Sequence, residues 1–471
     1  MKYEDREKAL YKNTGILAMG TLCSKIFTFL LLPLYTAKLT TSDYGTVDVL
    51  QTVASFAVPF ITLQLSSGIF RFLIDQKKLE GQAMVITTGI LIQIINTLIF
   101  GVGVLMVNVI WPFDYPLLFV VYFASHVFLD VTQNITRGFG NNVLYSVMNF
   151  VMTIVSLLFN VFMILGLGMK GESILIACTV SYFVAGGIAI WKQQLWKYFQ
   201  PKRFSRQNLK EMLRYCLPLI PNAISWWITN TSDRMLILFF LGAASNGIYA
   251  AANKIPTIYT TIFNVYNVAW VEALSRSAGE ADQEQFISDM LKKSVRLFGC
   301  ICIGTISCMS LLFNVLIGDG YQEAFGHVYV LLVAIFFNSL CSLMGGIFTA
   351  FKKSSVIGKT TVVGAAVNIA VNLLLIRWLG LYAASISTLV SYLTIAIVRI
   401  RGAQKLTRLS WDKKYILQAL IVLAVTTAGY FIGYKPVNVV ILLLVAGWSY
   451  YSNREMLDKM LGSVLKKFLK K

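Results

Sequence analysis

The chain has 471 residues, 57% hydrophobic and only 13% charged, with a mean hydropathy of +0.68 and a formal net charge of +19. A soluble domain carries about 25% charged residues, so this balance excludes one and predicts an all-α polytopic membrane protein. Seven cysteines without CxxC spacing indicate neither a zinc site nor a disulfide framework, and two histidines cannot build a His-based metal centre, so no metal or cofactor is expected.

The first residues, MKYEDREKALYKNTG, mix both signs of charge. They lack the basic, apolar, small-residue order of a secretory signal, so the first apolar run is expected to remain as a helix. Runs of about 20 apolar residues can cross a bilayer. Fourteen are predicted, at roughly 14–36, 45–70, 83–110, 115–137, 143–166, 172–191, 214–241, 245–271, 294–316, 323–350, 357–377, 381–400, 415–433 and 436–451.

Four of these spans carry one polar stripe on an apolar cylinder. The first has Thr14, Thr21, Lys25, Thr28 and Tyr35. The second has Asp48, Thr52, Ser55, Pro59, Thr62 and Ser66, with Arg71 beyond its end. The seventh has Asn222, Trp226, Thr229, Asn230 and Asp233, with Arg234 beside it. The eighth has Lys254, Thr257, Thr261 and Asn264, with Tyr249 one turn earlier. Polar stripes in a bilayer must face protein or water, so these four predict a hydrated central cavity. Lys25, Arg234 and Lys254 fall at similar, middle depths. Lone intramembrane charges are costly and usually functional, and a net-positive cavity is expensive unless an anion visits it. Arg71, Arg234, Lys254 and Lys25 are therefore the candidate anion-binding cations. Asp48, Trp226, Asn230, Asp233, Tyr249 and Asn264, with Trp227 and Tyr259, are candidate cavity side chains. The competing reading is structural: Arg234 paired with Asp48, or Asp233 with Lys254. Adjacent Asp233 and Arg234 point about 100° apart and pair poorly with each other. The fourth span adds His126, Asp130, Gln133, Asn134 and Arg137 on one face. His126 and Asp130 could relay protons or hold a cation, or serve interhelical packing.

With the N-terminus in the cytoplasm, only Lys38, Lys170, Arg377 and Lys435 fall in outer loops. Nearly all other Lys and Arg lie on the inner side, as the positive-inside rule requires, which places both termini in the cytoplasm. The positive charge is thus a topology signal, and no nucleic-acid partner is expected. Basic linkers at 192–214 and 399–414 divide the chain into 1–200, 201–402 and 403–471: two six-helix lobes, then two helices and a tail. A faint repeat links SKIFTFLLLPLYTAKLTTSDYG (24–45) with DRMLILFFLGAASNG (233–247), each ending on a glycine. The tail 457–471 reads as a basic amphipathic helix lying on anionic lipid.

Motifs at both ends of this pattern carry a family resemblance. PLIPNAISWWITNTSDRMLILFFLGAASNGIYAAANKIP (218–256), LCSKIFTFLLLPLYTAKLTTSDYG (22–45) and GIFRFL (68–73) resemble the polysaccharide flippases of the Wzx type. Those share the MOP superfamily with MATE exporters and lipid II flippases. The resemblance implies transfer of an undecaprenyl-pyrophosphate-linked oligosaccharide from inner to outer leaflet of the bacterial cytoplasmic membrane, with no enzymatic step. It implies membrane lipids as partners and polysaccharide polymerase and export proteins as candidate partners. Lys25 falls where lipid II flippases place a cavity arginine, Arg71 falls near another, and Lys254 precedes a proline as a cavity cation does there. Leu31 stands where a further cation would be, which argues against lipid II itself. A MATE-like exporter of organic cations would instead need Asp48, Asp130, Asp233 and Glu272 to dominate. A membrane-embedded enzyme would need His126 and Asp130 as its centre.

Overall fold

A computed structural model describes residues 29–277 and 282–468. Fifteen α-helices and no strand occur among the described residues. The chain forms two compact units, Met1–Ala250 and Ala251–Lys471.

In the first unit the helices are α1 (Leu32–Lys38), α2 (Thr41–Ile61), α3 (Leu65–Asp75), α4 (Leu79–Ile110), α5 (Pro116–Gly138), α6 (Asn142–Val161), α7 (Glu172–Gln193) and α8 (Arg206–Cys216). α9 (Leu219–Arg276) begins here and is interrupted at Gly242, whose φ of 84° and ψ of 176° are not helical. Thr40 caps α2 through its side chain and Ser205 caps α8, each supplying an acceptor for an otherwise unpaired N–H. Leu129, Leu144, Met148, Ala185 and Ala189 pack α5, α6 and α7 together. The outer surface is apolar: Val109 and Phe239 are each 82% exposed, as lipid contact allows and water would not.

The second unit continues α9 and adds α10 (Gln283–Leu316), α11 (Ala324–Ala350), α12 (Ser354–Leu379), α13 (Tyr382–Gln404), α14 (Lys413–Ile432) and α15 (Lys435–Phe468). Phe325 and Tyr430 stack with centroids 4.0 Å apart, and the Tyr430 hydroxyl donates to the Phe325 carbonyl at 2.7 Å, tying α11 to α14.

One sequence expectation is corrected. The second span is not continuous over 45–70. It ends at Ile61, and Leu63 (φ 52°) and Gln64 (φ 55°) turn left-handed before α3. Neither is glycine, so each carries about 1–2 kcal/mol of steric cost. Pro59 removes the helical donor to the Ser55 carbonyl, and where the helix ends the Asn96 side chain donates to the Ile61 carbonyl at 2.8 Å. Eleven helices among the described residues are long and apolar enough to cross a membrane. Residues 1–28 lie outside the described residues, the seventh and eighth spans run together through Gly242, and α15 is not among the eleven.

Arg399 is a feature the sequence placed in an inner linker. It is instead only 6% exposed on α13. Its guanidinium donates to Thr360 Oγ1 (2.8 Å), the Cys341 carbonyl (2.8 Å), the Ile357 carbonyl (3.1 Å) and Thr361 Oγ1 (3.0 Å). The planar fork therefore ties α11, α12 and α13 with neutral acceptors. A lysine reaches fewer of them. Arg399→Lys is expected to lower stability by about 1–2 kcal/mol and Arg399→Ala by about 3 kcal/mol, read by thermal unfolding of the purified protein in detergent.

Candidate functional site

The polar residues of α2 and of the helices on either side of Gly242 converge within the first unit. A straight helix would separate Asp233 from Tyr249 by about 24 Å. Yet the Tyr249 hydroxyl donates to Asp233 Oδ2 at 3.0 Å, so the chain folds back on itself at Gly242. Gly242 sits at the reversal with φ 84° and ψ 176°, a conformation glycine takes without strain.

The fold-back brings two helices against α2. Arg234 donates to Asp48 Oδ1 at 2.8 Å and to Thr52 Oγ1 at 3.3 Å. The Asn246 side chain donates to Asp48 Oδ2 at 3.2 Å and to the Gly45 carbonyl at 3.1 Å. Both carboxylate oxygens of Asp48, itself 5% exposed, are thus engaged. The Arg234 side chain retains 24% exposure against 6% for Asp48. The acid is sealed and the base keeps access to solvent or a ligand. The backbones approach at glycines: a Cβ on Gly45 would lie 1.7 Å from the Ala243 carbonyl oxygen, and one on Gly247 would lie 1.9 Å from that of Thr41. These two glycines end the two segments of the faint repeat, and their contact is reciprocal. Beside them Trp227 Nε1 donates to Ser55 at 3.2 Å, and its ring packs on Phe56 at 4.4 Å.

The other predicted residues divide. Lys25 lies outside the described residues, as do the side chains of Trp226 and Asn230. Arg71 pairs with Asp75 at 2.7 Å on an exposed face of α3. In the second unit Lys254 is half-buried and Asn264 exposed on α9. Tyr259 is buried in the core, its hydroxyl donating to the Phe298 carbonyl at 3.1 Å, so it does not line an open cavity. Tyr249 is likewise buried and satisfied by Asp233.

The α5 line forms a second polar cluster in the first unit. The Asn134 amide donates to Asp130 Oδ1 at 3.0 Å, and the Gln133 amide to Asn149 Oδ1 at 3.1 Å. His126 lies against Tyr182 with centroids 5.6 Å apart, and its Nδ1 is buried without a hydrogen-bond partner among the described residues. The Arg137 guanidinium sits 4.8 Å from the Phe70 ring centre. Among the described residues no group of three His, Cys, Asp or Glu side chains is arranged to hold a metal ion. Asn246 was missed by sequence reading. Its signal was an amide in the turn AASNG, otherwise built of small residues.

Comparison with known proteins bears on this arrangement. The chain is 24% identical over 414 residues to the uncharacterized membrane protein MJ1068 of Methanocaldococcus jannaschii, covering 86% of this chain and 77% of that protein. It is 23% identical to Lsg locus putative protein 1 of Haemophilus influenzae over 55% of this chain and 64% of that one. Its fold matches the lipid II flippase MurJ in an inward closed conformation, with a TM-score of 0.67 at 11% identity, over 93% of this chain and 99% of MurJ. It also matches an inward-facing multidrug resistance MATE transporter of the MOP superfamily, with a TM-score of 0.62 at 14% identity, over 81% and 97%. The model of the polysaccharide biosynthesis protein family matches residues 10–278, more than half of the chain and all of the Asp48–Arg234–Asn246 site, so the chain belongs to that family.

Proposed function

We propose that the protein is a flippase that carries a lipid-linked oligosaccharide repeat unit from the inner to the outer leaflet of the bacterial cytoplasmic membrane, by alternating access between two six-helix lobes. The observation that carries this reading is the family match across the intramembrane Arg234–Asp48 site. Both termini would be cytoplasmic, and polysaccharide polymerase and export proteins are the expected neighbours. The undecaprenyl pyrophosphate would be met by Arg234, Lys25, Arg71 and Lys254. Guanidinium and ammonium groups hold phosphate oxygens by charge-assisted hydrogen bonds. Arg234, partly exposed beside a sealed Asp48, would contact a phosphate through its exposed side while Asp48 stays paired. Outward movement of each negative charge gains about 2.3 kcal/mol per 100 mV of inside-negative potential. His126 and Asp130 are the candidates for ion coupling.

The test is translocation of a fluorescent prenyl-pyrophosphate oligosaccharide in proteoliposomes. Arg234→Ala and Lys25→Ala, each eluting as a folded monodisperse species, are expected to slow transfer at least about tenfold, the loss of one charge-assisted contact. Undiminished transfer in both would make these cations structural. Binding of an organic cation competed by sodium would favour the MATE-like reading instead.

A further inference from the structure

The second unit contains a cavity of about 340 Å³, between the start of α14 and interior turns of α10 and α15, that the transport reading does not use. Lys293 and Arg296 line it from α10, Lys414 from the first turn of α14, and Arg454 from α15, with Asp412 as the one acid in its wall. Lys293 and Arg296 are three residues apart and share a helical face. Asp412 pairs with Arg296 and caps α14 by accepting from the Tyr415 N–H at 3.0 Å. That N–H first, and the guanidinium second, hold the Asp412 carboxyl below its usual range, so it stays ionised and neutralises Arg296 alone. Arg454 reaches Asp458 at 3.4 Å, an exposed and therefore weak pair. Lys293 and Lys414 have no acidic partner among the described residues.

The frame of the cavity is rigid. The Tyr415 hydroxyl donates to the Arg296 carbonyl at 3.1 Å, and its ring stacks on Trp448 at 5.5 Å and 10°. The buried Asn453 amide of α15 donates to Cys300 Sγ of α10 at 3.4 Å. Three helices are thus locked around a concave, net-positive hole. A merely solvated basic face would be convex and would need no such bracing. Farther along α14 on the helical face of Lys414 and Gln418 stand exposed Ile421 (56%) and Val425 (50%), and α15 adds Leu444 at 65%. An occupant with an anionic head and an apolar body satisfies both surfaces.

We propose that this cavity binds the phosphate group of an anionic phospholipid, such as phosphatidylglycerol, with the acyl chains lying along α14 and α15. Basic pockets between membrane helices at the cytoplasmic side hold such headgroups. The phosphate would take Lys293, Lys414 and Arg454, while Asp412 keeps Arg296 in place as a positioning residue. This site is separate from the Arg234 site and holds whether or not the protein transports a glycan lipid.

Native mass spectrometry of the full chain tests it, after exposure to phosphatidylglycerol or phosphatidylcholine with identical acyl chains. Wild type is expected to retain the anionic lipid preferentially. Each lysine near a lipid surface contributes about 1 kcal/mol, so Lys293→Gln with Lys414→Gln should cut that preference about tenfold or more. Lys293→Arg with Lys414→Arg should keep it, which controls for folding. Lys38→Gln with Lys170→Gln, exposed and far along the chain from the cavity, should leave it unchanged. Equal retention of both lipids by wild type, or a preference untouched by the Gln pair, would overturn the site. Displacement of phosphatidylglycerol by millimolar inorganic phosphate would overturn the lipid assignment and show a soluble phosphate-bearing anion as occupant.

Discussion

Arg234→Ala is expected to destabilise the protein more than Asp48→Ala, although the two remove the same ion pair. Without Arg234, the Asp48 carboxylate stays sealed at 5% exposure with the Asn246 amide as its remaining partner. Stranding a buried charge costs about 3–5 kcal/mol. Without Asp48, Arg234 keeps Thr52 as a partner and 24% exposure through which its charge can be solvated, so the cost falls to about 1–2 kcal/mol. The double replacement leaves no stranded charge and should cost less than Arg234→Ala alone. A double-mutant cycle on unfolding in detergent measures this directly. Additive effects, or the reverse order of the singles, would mean that Asp48 reaches water in the working protein. The transport consequence runs the other way: Asp48→Asn frees Arg234 and should retain binding of a prenyl pyrophosphate, whereas Arg234→Ala should lose it.

The same pair shows how far the sequence could be read. Charge alone offered Arg234 with Asp48 as one structural alternative, beside Asp233 with Lys254, because opposite charges inside spans must find each other or a ligand. It could not choose between Asp48 and a phosphate; the structure shows the pair with Asp48. Arg399 was misread for a related reason: at a helix end, the positive-inside pattern makes every cation look like loop. Its burial depends on Thr360, Thr361 and two carbonyls from other helices, a convergence that no local window contains. The break at Leu63 and Gln64 had no glycine to announce it. Pro59 was the only cue, four residues early. The fold-back at Gly242 was legible because a glycine sits between two apolar runs, and the resemblance of SDRM…GIYAAANKIP to flippase helices already implied it. The fold class needed only composition. Lys25 lies outside the described residues, so its role rests on the sequence and the family alone.

Gly45→Ala and Gly247→Ala should each disrupt the crossing of α2 with the helix that follows Gly242. An alanine methyl at Gly45 would sit 1.7 Å from the Ala243 carbonyl oxygen and 2.7 Å from the Gly247 nitrogen. Both obstacles are backbone, so no rotamer change relieves them and the helices must separate by more than an ångström. Separation breaks the Asn246 bonds to the Gly45 carbonyl and to Asp48, and it loosens Arg234 with them. Small residues are what let membrane helices pack this closely. The gain in helix propensity from glycine to alanine, about 1 kcal/mol, is outweighed by overpacking and lost hydrogen bonds, for a net cost of about 3 kcal/mol. Gly187 provides the control: nothing lies within 4 Å of its Cβ position, so Gly187→Ala should be neutral or slightly stabilising. Thermal unfolding separates the three variants. Proteoliposome transfer then distinguishes two roles for the crossing. If Gly45→Ala is destabilised but flips substrate at the wild-type rate, the contact is scaffold alone. If transfer falls further than the folded fraction does, the reciprocal glycine contact is one that the transport cycle must make and release.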